Sequence, residues 1–282
     1  MIGFKVKRSK TMTRKQKRKI TVRRKYFRYG IFAVCCYLLF LIATLPASIV
    51  VSIITSDKQL ARQLNITAVS GTVWSGRAES IQVAGINLGR LKWDLKIFPL
   101  ILGELSAHVN FKNNAVSTSK ISGSGLVTVS VGGELNLNDF SAAFSADSLG
   151  PLMYGMPARF SGDVNLHVDE MSLVKGQRIN LKSRIVVSNA GLVSPQRIDY
   201  GNILIQASPK KMDSQLVLTD QGGALILDGN IQVKGNGLYN INLGMGARNT
   251  ASADLTNGLR FLGQRDSTGK YRYKTNGKLR NW

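Results

Sequence analysis

Glu104-Leu105-Ser106-Ala107-His108-Val109-Asn110-Phe111 puts an apolar residue at every odd position and a polar one at every even position. Successive side chains of a strand point to opposite faces, so this stretch reads as a strand with one dry face and one wet face. The same alternation returns in Asp163-Val164-Asn165-Leu166-His167-Val168, in Asn230-Ile231-Gln232-Val233 and in Tyr239-Asn240-Ile241-Asn242-Leu243. Of the 28 glycines, all but Gly3 and Gly30 follow residue 56. They fall about once in nine residues, the turn spacing of an all-β domain. A recurring order of glycine, polar, apolar opens at Gly103, Gly133, Gly162, Gly229 and Gly277. It reads as a turn glycine launching each strand. The expected fold class is mainly β, an antiparallel sheet built of hairpins over residues 57–282. Two short helices are expected with it. One covers Asp57 to Asn65, with Leu60 and Leu64 four apart, and the other starts at a Ser252 cap and runs toward Leu255, Leu259 and Leu262. Pro151 and Pro157 bracket a turn-rich stretch at which two lobes can divide, near 150–157.

Upstream of the strands lies a different kind of chain. From Tyr29 to Ser56 there is no charged residue, a run long enough to cross a bilayer core of about 30 Å as a helix. A cleaved signal fits less well, since its apolar region is typically about 7 to 15 residues and ends in a small-x-small site. Leu45-Pro46-Ala47 is a poor site of that kind. A lipoprotein is excluded because Cys35 and Cys36, the only cysteines, stand near the start of the run and not at its end. The expected organisation is therefore a basic arm over 1–28, a transmembrane helix over 29–56 with Pro46 kinking it or marking its outer end, and a domain over 57–282. Without a thiol in that domain, a disulfide-stapled fold is ruled out.

Charge orients the span. The chain of 282 residues carries 38 Lys+Arg against 16 Asp+Glu, formally +22, and thirteen of the cations precede Tyr29 with no acid among them. The positive-inside rule places the arm in the cytoplasm and the domain across the membrane, which in a bacterium is the periplasm. The arm lacks a nucleic-acid-reading module and is tethered to a bilayer. Arg23, Arg24, Lys25 and Arg28 are read as contacts to anionic lipid head groups, and no nucleic-acid partner is expected.

The inventory for chemistry is thin. His108 and His167 are the only histidines, each on the polar face of its strand, and Glu134, Asp139, Asp163, Asp169 and Glu170 show no spacing that brings two together. Gly235-Asn236-Gly237 and Gly244-Met245-Gly246 lack the third glycine and the following helix of a phosphate-binding loop. No catalytic residue, metal site or cofactor is expected, and the chain is not read as an enzyme.

The tryptophans carry more information. Gly71-Thr72-Val73-Trp74-Ser75-Gly76-Arg77 is followed by Leu88-Gly89-Arg90-Leu91-Lys92-Trp93, then Pro99 and Gly103-Glu104-Leu105. Trp74 and Trp93 fall in strand-like stretches, where a large ring packs a half-buried face. These motifs resemble the type II secretion system protein N family, also called general secretion pathway protein N. The resemblance starts at Leu45-Pro46-Ala47 and resumes at Asp220-Gln221-Gly222-Gly223-Ala224-Leu225, Asp228-Gly229, Leu262-Gly263, Gly269-Lys270-Tyr271 and Gly277-Lys278-Leu279. It implies a non-enzymatic, single-pass inner-membrane accessory of a machine that exports folded proteins across the outer membrane. Its partners would be other components of the secretion envelope complex. Gly71, Trp74, Gly76, Trp93 and Gly103 stand as signature positions, defining fold more than contact.

A second class of protein shares the pattern: a membrane-anchored β-groove that handles or transfers lipid in the periplasm. The two differ at the apolar side of the sheet. A packed body covers that side, as the resemblance implies, and a lipid groove leaves it open.

Overall fold

The computed structural model describes residues 14–56, 63–113, 120–153, 158–174, 178–210 and 213–278, with the side chains of 14–28 outside the description. The chain forms two units, Met1–Leu45 and Pro46–Trp282. In the first, helix α1 spans Arg14–Ala43. The second begins with helix α2, Ala47–Ser56. The apolar run expected as one helix over 29–56 is thus divided at Thr44–Leu45–Pro46. Proline has no N–H to give the helical ladder and its ring clashes with the preceding turn. Pro46 instead bridges to Thr72, and α2 lies along the first strand. Among the described residues, no helix is both long and apolar enough to cross a membrane. The helix expected over 57–65 lies mostly outside the described residues, and Leu64 and Asn65 open a strand.

Thirteen strands follow: β1 Leu64–Gly71, β2 Ser75–Val83, β3 Ile86–Lys96, β4 Glu104–Lys112, β5 Ile121–Ser130, β6 Leu135–Ser145, β7 Arg159–Val174, β8 Arg178–Ser194, β9 Ile198–Lys210, β10 Asp213–Asp220, β11 Leu225–Val233, β12 Leu238–Ala247 and β13 Tyr271–Lys278. They pair antiparallel in sequence order into a single sheet. Short connections allow only this, because a strand returning after a few residues must lie beside its predecessor. The sheet stays continuous at 150–157, since β6 and β7 pair from Leu135↔Leu173 to Ser145↔Asp163. Between them runs a 3-10 helix, Ala146–Met153. A short helix α3, Ile97–Ile101, links β3 to β4. Helix α4, Ala253–Arg260, links β12 to β13 and begins at the expected cap, where the Ser252 hydroxyl accepts the Leu255 N–H.

Only two of the five launching glycines launch a strand. Gly103 and Gly133 take φ +78° and +77° in the turns before β4 and β6. Gly162, Gly229 and Gly277 lie inside β7, β11 and β13. There the missing side chain matters for a neighbour: a Cβ on Gly277 would stand 2.5 Å from the Tyr239 hydroxyl.

Register explains the two faces. Directly paired residues share a face, and Phe140, Val168, Ser183, Ala207, Leu216, Ile231 and Ile241 pair successively from β6 to β12. The facing row on the other side is polar: Asn110, Ser124, Ser141, His167, Arg184 and Gln206. The apolar face is covered at one end, where Leu255 and Leu259 of α4 pack on Leu225, Leu227 and Tyr271, all buried. Elsewhere it is not closed by a second layer. Inner-face side chains of a β-sandwich are buried, whereas Leu91, Trp93, Val109, Phe111, Leu137, Phe140 and Leu166 are only half-buried. The covered face that the resemblance implied is present only beside α4.

Candidate functional site

The β1–β2 turn brings four of the five signature positions together. Gly71 ends β1 with φ +93°, and a Cβ there would lie 2.7 Å from the Ser75 carbonyl oxygen and 2.9 Å from Gly76 Cα. Gly76 pairs with Trp93 across β2 and β3, and the indole lies on it: a Cβ at Gly76 would stand 2.4 Å from Trp93 Cζ2. The indole Nε1–H then donates to the Val73 carbonyl at 3.1 Å. Trp74, expected in a strand, sits in the turn itself, where the Leu95 N–H donates to its carbonyl at 2.6 Å. The ring, the glycine and the turn carbonyl thus lock the start of the sheet. Gly103 is apart from this cluster, in the α3–β4 turn against Val131. Arg23, Arg24, Lys25 and Arg28 fall on the part of α1 whose side chains lie outside the described residues.

On the polar face, small side chains of β5 and β6 leave an open trough of about 530 Å3, lined by Asn110, Ser124, Ser141, His167 and Arg184 among others. Here β6 and β7 bring together what sequence spacing did not. The Ser141 hydroxyl is 2.8 Å from His167 Nδ1, and His167 Nε2 is 3.2 Å from Asp169 Oδ1. Lys182 Nζ adds a longer contact to Asp169 at 3.8 Å. The His167 and Asp169 side chains are 51% and 46% exposed. Water competes for bonds at that exposure, and nucleophilic catalysis depends on a water-excluded site with preorganised donors. His108 is exposed on the same face, and the group Asp94, Asn110, Ser124 and Asp139 lines an adjoining trough of about 520 Å3.

Two further polar clusters hold turns at the α4 end. Asp220 pairs with Arg248, whose guanidinium also donates to the carbonyls of Gly223 (3.1 Å) and Leu225 (2.9 Å). Asp220 accepts as well from the N–H groups of Leu227 and Gly222. Desolvation pushes its carboxyl up, but the Arg248 hydrogen bond and the two amides outweigh it and hold the group below its ordinary range. In the second cluster Lys270 and Arg272 face Asp228, and Arg272 Nε donates to Asp266 at 2.6 Å. Asp266 is held far below the carboxylate range by the Thr268 hydroxyl, then by Arg272 and the Lys270 and Thr268 amides. Arg248, Asp266 and Arg272 did not stand out in the sequence, since each meets its partner across a turn that spacing does not reveal. The motifs Asp220–Leu225 and Gly269–Tyr271 are the other halves of these clusters.

The family profile "Type II secretion system (T2SS), protein N" matches residues 62–274. The chain belongs to the type II secretion system protein N family. It is 24% identical over 257 residues to the type II secretion system protein N of Vibrio cholerae serotype O1, covering 89% of this chain and 98% of that protein. To the protein of the same name from Aeromonas hydrophila it is 25% identical over 249 residues, covering 86% and 94%. No solved structure matches it. Membership supports an accessory role in type II secretion and association with other components of that system. Within the family match lie all five signature glycines and tryptophans, the Asp220–Arg248 cluster and the whole sheet up to β13.

Proposed function

We propose that this protein is a non-enzymatic accessory of type II secretion, held in the inner membrane by its apolar N-terminal segment, with the sheet in the periplasm. Similarity to protein N relatives over nearly their full length carries the secretion assignment. The anchor is supported by the charge-free run and by its uncovered side chains: Phe32, Leu39 and Phe40 are 69%, 66% and 63% exposed. Thirteen cations before it give the orientation, with Arg23, Arg24, Lys25 and Arg28 at anionic head groups. The single-layer sheet then offers the secretion machinery a long half-buried apolar face, and that face is the working surface. Chromosomal deletion tests the reading. Extracellular enzymes should fall and their periplasmic pools rise, both restored by the full chain, and unchanged export would contradict the assignment.

The open apolar face also favours a second reading, in which it holds acyl chains. Mass spectrometry of the full chain extracted in mild detergent should then show stoichiometric phospholipid, and the deletion strain should show a barrier defect with normal secretion.

A further inference from the structure

The β3–β4 connection is Ile97-Phe98-Pro99-Leu100-Ile101-Leu102, and it buries none of its apolar side chains. Phe98, Ile101 and Leu102 are 84%, 80% and 81% exposed, and Val131 of the neighbouring β5–β6 turn is 88% exposed. The two turns are joined, since the Val131 N–H donates to the Gly103 carbonyl at 3.0 Å. Turns in water are normally polar, and a contiguous apolar patch of this kind marks a contact surface.

The two ends of the sheet differ. At the far end α4 packs on β9 and β12, and the 3-10 helix contacts β7 and β3, with Pro151 against Gly85 of the β2–β3 turn. At the α3 end Leu105 and Val129, paired on the apolar face, are 48% and 39% exposed. The chain also enters the domain at this end, for Pro46 bridges to Thr72 of the β1–β2 turn. Exposed lysines gather there: Lys96, Lys210 and Lys278 close β3, β9 and β13, and Lys234 follows β11. Glu134 and Asp213 at the same end are half-buried and already accept from Ser172 and Gln232.

We infer that the α3 turn is a bilayer-contact tip, with Phe98, Ile101 and Leu102 seated in the periplasmic leaflet and the lysine row meeting anionic head groups. An apolar centre with lysines spread beyond it is the pattern of an interfacial membrane contact. The point where the chain enters makes this the membrane-proximal end, so the inference rests on the anchor reading. The tip brings the open apolar face to the lipid surface at the end where that face is uncovered.

Full-length protein reconstituted in phosphatidylethanolamine and phosphatidylglycerol vesicles tests it. An environment-sensitive fluorophore is placed on Phe98→Cys in a Cys35→Ser, Cys36→Ser background, on Phe261→Cys in the same background, and on native Cys35 of a Cys36→Ser variant. Phe98 and Phe261 are both exposed, so neither substitution touches a core. Nitroxide-labelled lipid should quench most of the emission at 98 and at 35 and leave 261 bright. Quenching at 35 with none at 98 overturns the tip and leaves the anchor standing. An unquenched label at 35 overturns the anchor and the tip with it. Equal quenching at 98 and 261 overturns the tip as nonspecific adsorption, and a second copy or a protein partner becomes its occupant.

Discussion

Replacing Gly76 with alanine should loosen the first strands through Trp93 and not through the backbone, because Gly76 does not use the left-handed region. The added Cβ would meet Trp93 Cζ2 at 2.4 Å and Cε2 at 2.8 Å, about 1 Å inside ordinary carbon contact. The ring cannot swing aside and keep its 3.1 Å bond to the Val73 carbonyl. Losing that bond costs about 1 kcal/mol, and residual overpacking adds about 1 kcal/mol or more, so Gly76→Ala should cost about 2 to 3 kcal/mol. Trp93→Ala removes a half-buried ring. With roughly 100 Å2 returned to water at ~25 cal/mol per Å2, plus the hydrogen bond, it should cost about 3 kcal/mol, below the range for fully buried aromatics. The two changes should not add. Without the indole, alanine at 76 meets only the Ser70 carbonyl oxygen at 3.0 Å, so the double variant should behave much like Trp93→Ala, a coupling of about 2 kcal/mol. Strands that touch mainly their sheet neighbours lose stability locally, so the assay is hydrogen exchange by mass spectrometry on the full chain in detergent. Exchange should rise in peptides from 64–96 for each single variant and stay unchanged in 213–247. Additive single effects, or uniform loss along the sheet, would refute the reasoning.

Acid should loosen the α4 end first. Asp220 and Asp266 are held below their ordinary range in the folded state, so they stabilise it above about pH 4, and that contribution is lost as pH falls through the folded values. Exchange at 213–233 and 253–278 should therefore rise below pH 4 before that of β4–β6, and Asp220→Asn should remove Asp220's share of the acid response. Asp220→Asn should also cost about 2 kcal/mol at neutral pH, since it weakens a charge-assisted bond to Arg248; denaturant midpoints of the α4 end check this. Protease added to spheroplasts should degrade the domain after residue 57 and spare the arm, and a soluble, shortened mature protein would identify a cleaved signal instead.

The strands were legible because alternation is a local signal. Leu105, Ala107, Val109 and Phe111 fall on one face in the structure as they do in the sequence. Ser252, Leu255 and Leu259 marked α4 for the same reason. What escaped depended on neighbours distant in sequence. Gly229 and Gly277 look like turn glycines until the partner strand shows Leu243 and Tyr239 occupying their side-chain space. Trp74 looks like a strand residue, but the β1–β2 turn takes it, and Asp220 gives no sign of Arg248 28 residues on. Period two also guarantees an apolar face without saying what covers it. Only the three-dimensional arrangement shows α4 closing one end and α3 leaving the other open.

The account turns on the apolar face of the sheet as the working surface, and neighbouring residues of β6 separate it from the opposite face. Leu137 lies on the apolar side, half-buried, and Asn136 on the other. In strains whose only copy carries Leu137→Glu or Asn136→Glu, the extracellular fraction of exported enzyme is measured at equal levels of full-length protein by immunoblot. The account predicts loss of export with Leu137→Glu and near-normal export with Asn136→Glu, whereas normal export in both would contradict it.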